Sequence, residues 1–242
     1  MQGHFFIIRT LTNLHVGSGD SDFGVVDKQV QRDALHKAPT IHASSLKGAL
    51  REYFTSQVQL DTNGEFTTHI FGSEVNSADK VQGNYRFLSA DLLAIPRPDE
   101  DPTTSTAYDL VSSSQVLSNF ANKAINLGIN HSIITAFQEA TDESVLTIAG
   151  SDISINDNDF KNLATELPVL ARNYLDNGES KNLWYEEFVP RESLFGLLIL
   201  APNGDSRFSS FENFVDGKVI QLGANATVGY GLCLFTHING ES

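Results

Sequence analysis

The chain has a single cysteine, Cys233, among 242 residues, which excludes a disulfide framework and any zinc site built on cysteine pairs and fits a reducing compartment. Long apolar runs are also missing. The longest, Leu194 to Ala201, is interrupted by Gly196 and falls far short of a bilayer span. The N-terminus MQGHFFIIRT has no basic region followed by a long apolar stretch, so a soluble, cytoplasmic protein with no membrane partner is expected. There are no internal repeats, heptads or low-complexity tracts. Positive charge is scarce: 16 Lys and Arg stand against 30 Asp and Glu, a formal net charge of −14. An even spread of that charge would argue against a nucleic-acid binder.

The spread is uneven. Up to Phe54 six cations (Arg9, Lys28, Arg32, Lys37, Lys47, Arg51) meet five acids (Asp20, Asp22, Asp27, Asp33, Glu52), a balance of +1. The remaining residues therefore carry 10 − 25 = −15. A hydrophobic content of 40% excludes a disordered chain, and the length suffices for a core without a disulfide or metal staple.

Along the chain, His4 to Leu11 reads as a strand that ends before the Gly/Asp-rich loop HVGSGDSDFG, and Val25 to Val30 as a short extended piece. In SSLKGALREYF the apolar residues Leu46, Ala49, Leu50, Tyr53 and Phe54 form a full helical stripe, with Ser44 or Ser45 as N-cap. His69 to Gly72 closes a second helix, and Tyr85 to Ile95 reads as one strand before a charged, proline-rich loop, Arg97 to Thr106. Helices are expected near Asn119 to Asn126 and Asp157 to Leu167, and a strand pair at Ser144 to Ile155. Further strands are expected at Leu183 to Glu187 and Leu194 to Leu200, with a closing hairpin from Val219 to Leu222 and Gly231 to Phe235. No regular βαβ rhythm runs through this order, which favours α+β over a doubly wound sheet.

Three constellations could carry chemistry. With Ser44 as N-cap, Lys47 would sit at N3, where a cation opposes the helix dipole unless an anion lies opposite. Arg51 projects from the same face, and Gly48 between them costs about 1 kcal/mol relative to Ala, which a close backbone approach would justify. Free N–H groups, the hydroxyls of Ser44 and Ser45, Lys47 and Arg51 describe a phosphate site, though the same residues also fit an ordinary solvated helix face. In GVVDKQVQRD, Asp27 lies beside Lys28 and ahead of Arg32. Such a carboxylate could hold Mg²⁺ against a phosphodiester or orient a ribose 2′-hydroxyl, or simply pair with Arg32 or cap a turn. His15 is a weaker candidate for acid/base work. In IQLGANATVGYGL, Gly223, Gly229 and Gly231 permit tight turns and close approach to a ligand, or form a glycine-rich hairpin turn.

In this order the blocks LHVGSG, GVVDKQVQRD, SSLKGALR, HIFG, SADLLAIP, LWYEEFVPRESLF and IQLGANATVGYGL resemble the RAMP superfamily of CRISPR-associated proteins, specifically the repeated backbone subunit of type III-B effector complexes. The resemblance implies one domain over residues 1–242 with a modified ferredoxin-like (RRM-like) α+β fold and a thumb-like β-hairpin, placed within residues 168–185. It implies copies stacked in a helical filament on a guide RNA, beside other subunits of the complex, with complementary target RNA cut at regular intervals. Ser44, Ser45, Lys47 and Arg51 would hold guide phosphates, joined by Lys28, Arg32 and the glycine-rich loop of Gly223, Gly229 and Gly231. Arg172 and Asn173 of the thumb would touch RNA. Asp27 matches the family aspartate needed for cutting, implying a divalent ion, Mg²⁺ or Mn²⁺, and a 2′-hydroxyl attack that leaves a cyclic phosphate. A guide-binding backbone without nuclease activity and a guide-precursor processing enzyme are the alternatives. In either of the filament readings, a single copy of so acidic a protein should bind free RNA weakly.

Overall fold

The computed structural model describes residues 1–19, 26–57, 64–74, 79–99 and 107–239. Residues 20–25 of the Gly/Asp-rich loop and 100–106 of the proline-rich loop lie outside the described residues. In chain order the elements are β1 (Gln2–Thr10), β2 (Thr40–Ile41), α1 (Ala43–Gln57), α2 (Glu65–Phe71), β3 (Arg86–Phe87), β4 (Ala90–Pro98), β5 (Tyr108–Ser112), α3 (Ser114–Asn126) and α4 (Ser132–Glu139). They continue with β6 (Val145–Ile148), β7 (Ser151–Ile155), α5 (Asp157–Thr165), β8 (Val169–Asp176), β9 (Glu179–Glu187), β10 (Leu194–Ala201), α6 (Arg207–Val215), β11 (Val219–Gln221) and β12 (Leu232–Ile238).

The main sheet runs β11-β12-β1-β10-β4-β5-β7-β6. Its centre, β12-β1-β10-β4, is antiparallel throughout, with α1 in the connection from β1 to β4 and α6 in the connection from β10 to β12. That is the strand order and connectivity of a ferredoxin-like core, extended past β4 by three further strands. The fold is α+β, and the modified ferredoxin-like arrangement is what its strands adopt.

Helices cover both faces of this sheet. On β1, Phe6 and Ile8 join a core that includes Leu46, Leu50 and Phe54 of α1 and Phe208, Phe211 and Val215 of α6. Phe5 and Ile7 point the other way, into a core with Leu117 and Phe120 of α3 and Ile134 and Phe137 of α4. A strand buried on both sides has no reason to alternate in polarity, which is why HFFII and LFGLLILA are continuous apolar runs. The two-sided cover has a functional consequence. In an RRM, RNA bases stack on an open sheet face. Here that face is closed, so a nucleic acid must use the edges, the loops and the helix ends.

The stripe foreseen on α1 is the buried one: Leu46, Leu50 and Phe54 are essentially inaccessible, and Phe54 stacks on Phe211 at 5.4 Å. The helix start differs from the expectation. The Leu46 N–H donates to the His42 carbonyl at 3.1 Å, so His42 is the N-cap, and Ser44 and Ser45 lie inside the first turn. Lys47 therefore sits beyond that turn, where the dipole no longer opposes a cation. The cap is supplied from elsewhere, because Ser89 Oγ accepts from the Ala43 N–H at 3.2 Å.

Other departures have equally local causes. The strand expected from Tyr85 to Ile95 is two, β3 and β4, with Leu88 and Ser89 between them freed for a bond to Leu198 and for the α1 cap. Helix α6 went unforeseen, although Phe208, Phe211 and Val215 recur at helical spacing. Helix α4 and strand β5 were likewise lost in a polar middle third.

Strands β8 and β9 form a separate two-stranded sheet that projects from the body. Asn177 and Gly178 join them, both at positive φ (51° and 84°), the type I′ turn for which Asn-Gly is the strongest short signal. The Asn-Gly pair was visible in the sequence and would have placed the hairpin's tip.

Candidate functional site

The base of the hairpin is where Asp27, Lys28, Arg32, His15 and Arg172 converge. The segment around Asp27 crosses it and is held by backbone bonds to β9. The N–H groups of Asp27 and Lys28 donate to the Tyr185 carbonyl at 3.0 and 3.1 Å, and the Glu187 N–H donates to the Lys28 carbonyl at 2.9 Å. The Asp27 carboxylate is exposed, and its Oδ2 accepts the Tyr185 N–H at 2.7 Å. Asp27 is thus aimed by backbone on both sides while its carboxylate stays open to solvent. Its partner is not Arg32.

Arg32 is committed inside the chain. Its guanidinium donates to the carbonyls of Lys37, Ala164 and Thr165 and pairs with Glu187 at 2.5 Å. The other Glu187 oxygen accepts from the Val30 N–H at 3.0 Å, so this buried carboxylate is fully used. Arg32 thereby ties the Asp27 segment and the end of α5 to the hairpin. His15 is buried as well, and its Nδ1 meets the Glu187 carbonyl at 2.6 Å. A carbonyl only accepts, so Nδ1 carries the proton. His15 anchors the loop that precedes Gly17.

The hairpin residues divide. Arg172 has its guanidinium 4.7 Å above the Tyr230 ring, with Nε 3.3 Å from Glu186 Oε1. Asn173 is exposed and accepts from Ser180 Oγ at 2.8 Å across the hairpin. Lys28 lies 5.1 Å over the Trp184 ring and 3.9 Å from Glu186 Oε2. Glu186 was not foreseen as a site residue. It is 1% exposed, and a carboxylate so buried signals a network that only tertiary contact reveals.

Helix α1 separates two grooves. One, of about 710 Å³, is lined by Val16, Gly17, Ser45, Tyr53, Gln221 and Gly223 among others. The second, of about 640 Å³, is lined by Ser44, Lys47, Arg51, Ser73, Lys80 and Gln82 among others. Gly48 lines both, and a Cβ built there would meet nothing within 4 Å. Among the described residues no other part of the chain approaches the Gly48 Cβ position, so the missing side chain serves the open saddle between the grooves.

The structure thus brings Ser44, Lys47 and Arg51 to one groove and Ser45 to the other. Gln31, unforeseen, sets the helix start: its amide donates to Ser45 Oγ at 3.0 Å and to the Gly17 carbonyl at 3.1 Å, and its Oε1 accepts the His42 N–H at 2.7 Å. Arg51 donates to the Gly72 carbonyl, and to that of Ser73 at 3.3 Å, which leaves Lys47 as the less committed cation of the pair.

The three glycines have different reasons. Gly223 (φ 72°) lies against the His15 carbonyl, 2.4 Å from where a Cβ would stand, and Gly231 (φ 76°) would place one 1.9 Å from the Leu222 carbonyl. Their close approaches are to the chain itself, and they brace the loop against residues 13–16: the Ala224 N–H donates to the His15 carbonyl and the Gly231 N–H to that of Asn13. Gly229 also has positive φ but faces open space.

Among the described residues no group of three or more His, Cys, Asp or Glu could hold a metal ion. Asp27 offers a single open carboxylate at the hairpin base, which fits an ion that takes its remaining ligands from water and a substrate phosphate, the common habit of Mg²⁺.

The model of the RAMP superfamily matches residues 7–234. The chain is 28% identical over 289 residues to the CRISPR system Cmr endoribonuclease Cmr4 of Pyrococcus furiosus, covering 98% of this chain and 96% of that one. It is 41% identical over 91 residues to the CRISPR system CMR subunit Cmr4 of Saccharolobus solfataricus, covering 38% of this chain and 28% of that one. Among solved structures, a chain of the type III-B Cmr-beta complex in its apo state superposes with a TM-score of 0.80 at 21% identity, over 98% of both chains. Oligomeric Cmr4 from Pyrococcus furiosus does so with a TM-score of 0.64 at 20% identity, over 100% of both chains. With a family match spanning nearly the whole chain and a fold shared end to end, this protein belongs to the RAMP superfamily.

Proposed function

We propose that this chain is a guide-RNA-binding filament subunit of a type III-B CRISPR ribonucleoprotein and cuts complementary target RNA at Asp27. The observation that carries the reading is the placement of Asp27: an exposed carboxylate, fixed by the Tyr185 backbone at the root of a projecting hairpin. The relative of similar length is named an endoribonuclease, and a chain of the Cmr-beta complex bound to cognate target RNA superposes with a TM-score of 0.79.

In this reading the guide backbone crosses α1 at the Gly48 saddle. Lys47 and the first-turn N–H groups of Ser44 and Ser45, which have no intrahelical acceptor, receive its phosphates. The β8–β9 hairpin acts as the thumb, with Asn173 and the exposed Tyr174 and Leu183 available to the RNA. Arg32, His15, Gly223 and Gly231 serve by holding this frame rather than by touching RNA. Other copies of the chain and other subunits complete the assembly, and no helix among the described residues is long and apolar enough to cross a membrane, in keeping with a cytoplasmic complex.

Asp27 is the group that would hold a divalent ion, Mg²⁺ or Mn²⁺, which when bound offsets negative charge on the attacked phosphate. Asp27 itself contributes position, since its carboxylate is oriented before any substrate arrives. Among the described residues no second acid or base is hydrogen-bonded to the Asp27 carboxylate, so cutting depends on the assembled filament to align the 2′-oxygen, phosphorus and leaving oxygen.

The test is a complex reconstituted with Asp27→Ala. Target cutting disappears while guide RNA is retained; continued cutting at the same sites overturns the assignment and leaves a structural backbone subunit. EDTA stops cutting by the wild-type complex, whereas cleavage of repeat RNA by the lone protein in EDTA would make it a guide-processing enzyme instead.

A further inference from the structure

A two-stranded hairpin is marginal on its own, so how β8 and β9 stand on the body is decided at their base. Two ties have been described: backbone pairing with Asp27 and Lys28, and the Glu187–Arg32 pair. A third runs to the glycine loop. Glu186 Oε1 accepts from the Asn225 amide and lies 3.3 Å from Arg172 Nε, while Arg172 rests on the Tyr230 ring, whose edge meets Phe188 at 6.0 Å.

Among the described residues this third tie is incompletely hydrogen-bonded. Arg172 Nε and Nη2, Trp184 Nε1 and Glu186 Oε2 are buried without a hydrogen-bond partner, four of the seven such side-chain atoms among the described residues. Buried polar groups normally find partners, so their gathering at one junction needs a reason. Arg172 faces Glu186 without hydrogen-bond geometry, and what holds the guanidinium flat is the aromatic face of Tyr230. Glu186 in turn directly follows Tyr185, whose backbone makes both bonds to Asp27.

We infer that Tyr230, Arg172 and Glu186 form a latch that sets the Asp27 carboxylate relative to the glycine loop. All three are positioning residues. The inference rests on the cleavage reading above for its catalytic consequence, but not for its structural one. A shift of the hairpin base moves Tyr185, and Asp27 with it, while the groove of Lys47 and Arg51 has no residue of the latch or of the glycine loop in its wall.

The experiment compares Tyr230→Leu with Tyr230→Phe, the second keeping the aromatic face. In complexes reconstituted with guide RNA, Tyr230→Leu slows cutting at saturating target by roughly tenfold or more, as expected for a misplaced reacting group. Guide retention and the KM for target stay at wild-type values, and Tyr230→Phe restores the rate. In the isolated chain, amide exchange at Tyr185 and Lys28 accelerates in Tyr230→Leu and not in Tyr230→Phe. Wild-type cutting by Tyr230→Leu, loss of guide RNA from that complex, or unchanged exchange at both amides each overturns the latch. If Asp27→Ala still cuts, the cleavage reading fails by itself, and the exchange measurement still decides whether the latch exists.

Discussion

Strands β9 and β10 follow one another in the chain and bury opposite things. Every residue of β10, from Leu194 to Ala201, is buried and none is polar. In β9 the only buried residues are Glu186 and Glu187. Apolar burial is non-directional and holds β10 wherever the two cores close on it. A buried carboxylate tolerates only the geometry in which its partners meet it, so the ties of β9 specify orientation and add little to net stability. The body of the molecule is therefore built to persist, and the hairpin to point.

That contrast can be broken at either end. The largest effect is expected for Phe195→Ala, which empties a fully buried site and should lower unfolding free energy in urea by about 3–5 kcal/mol, with the exposed hairpin lost only as a consequence. Arg32→Met leaves the Glu187 carboxylate without its charged partner and should cost roughly 1.5–3 kcal/mol. If Arg32→Met instead left both stability and cutting unchanged, the ionic account of the hairpin base would be wrong.

A pH titration probes the edge of the body. His4 stacks on Phe208 with ring centroids 3.4 Å apart, and burial, followed by the charges of His237 and His131, pushes its pKa down to about 4. The unfolded chain takes up this proton first, near the ordinary value of 6.5. The stability contributed by neutral His4 is thus complete above about pH 6.5 and is lost as pH falls towards 4, with a slope of at most about 1.4 kcal/mol per pH unit. His4→Phe keeps the stacking and should flatten that slope in urea melts at pH 4.5 to 7.

Smaller effects belong to the surface. Lys47→Ala should reduce the slope of log K against log[salt] for RNA binding by the assembled complex by about 1, with stability unchanged. An unchanged slope would turn Lys47 to solvent. At the far end of the comparison, Leu183→Ser on the exposed hairpin should change unfolding free energy by less than about 0.5 kcal/mol, because its side chain is 55% accessible already.

Much of this was legible in the residues. The α1 stripe and the strands of the core announced themselves because period and composition are local properties, and the charge excess outside the first 54 residues left Lys28, Lys47 and Arg51 standing out. The phenylalanine spacing in α6 was an equally local signal and would have located a helix that was not foreseen, and the Asn-Gly pair at 177–178 would have fixed the tip of the hairpin expected within residues 168–185. The N-cap of α1 was misread because a serine hydroxyl 46 residues away, Ser89, does the work that Ser44 or Ser45 would do in isolation.

By itself the sequence determined the α+β class, the family, the apolar strands and the candidate residues Asp27 and Lys47, since each rests on neighbours along the chain. Tertiary structure decided which cations are free and which are spent. Arg32 looked like a basic flank of Asp27 and is an internal brace, Arg51 is half committed to the end of α2, and Glu186 became a site residue only by being buried. Whether a charge faces RNA or another part of the chain depends on what folds against it from 21 residues away, as for Arg51, or from 155, as for Arg32, and no local pattern records that.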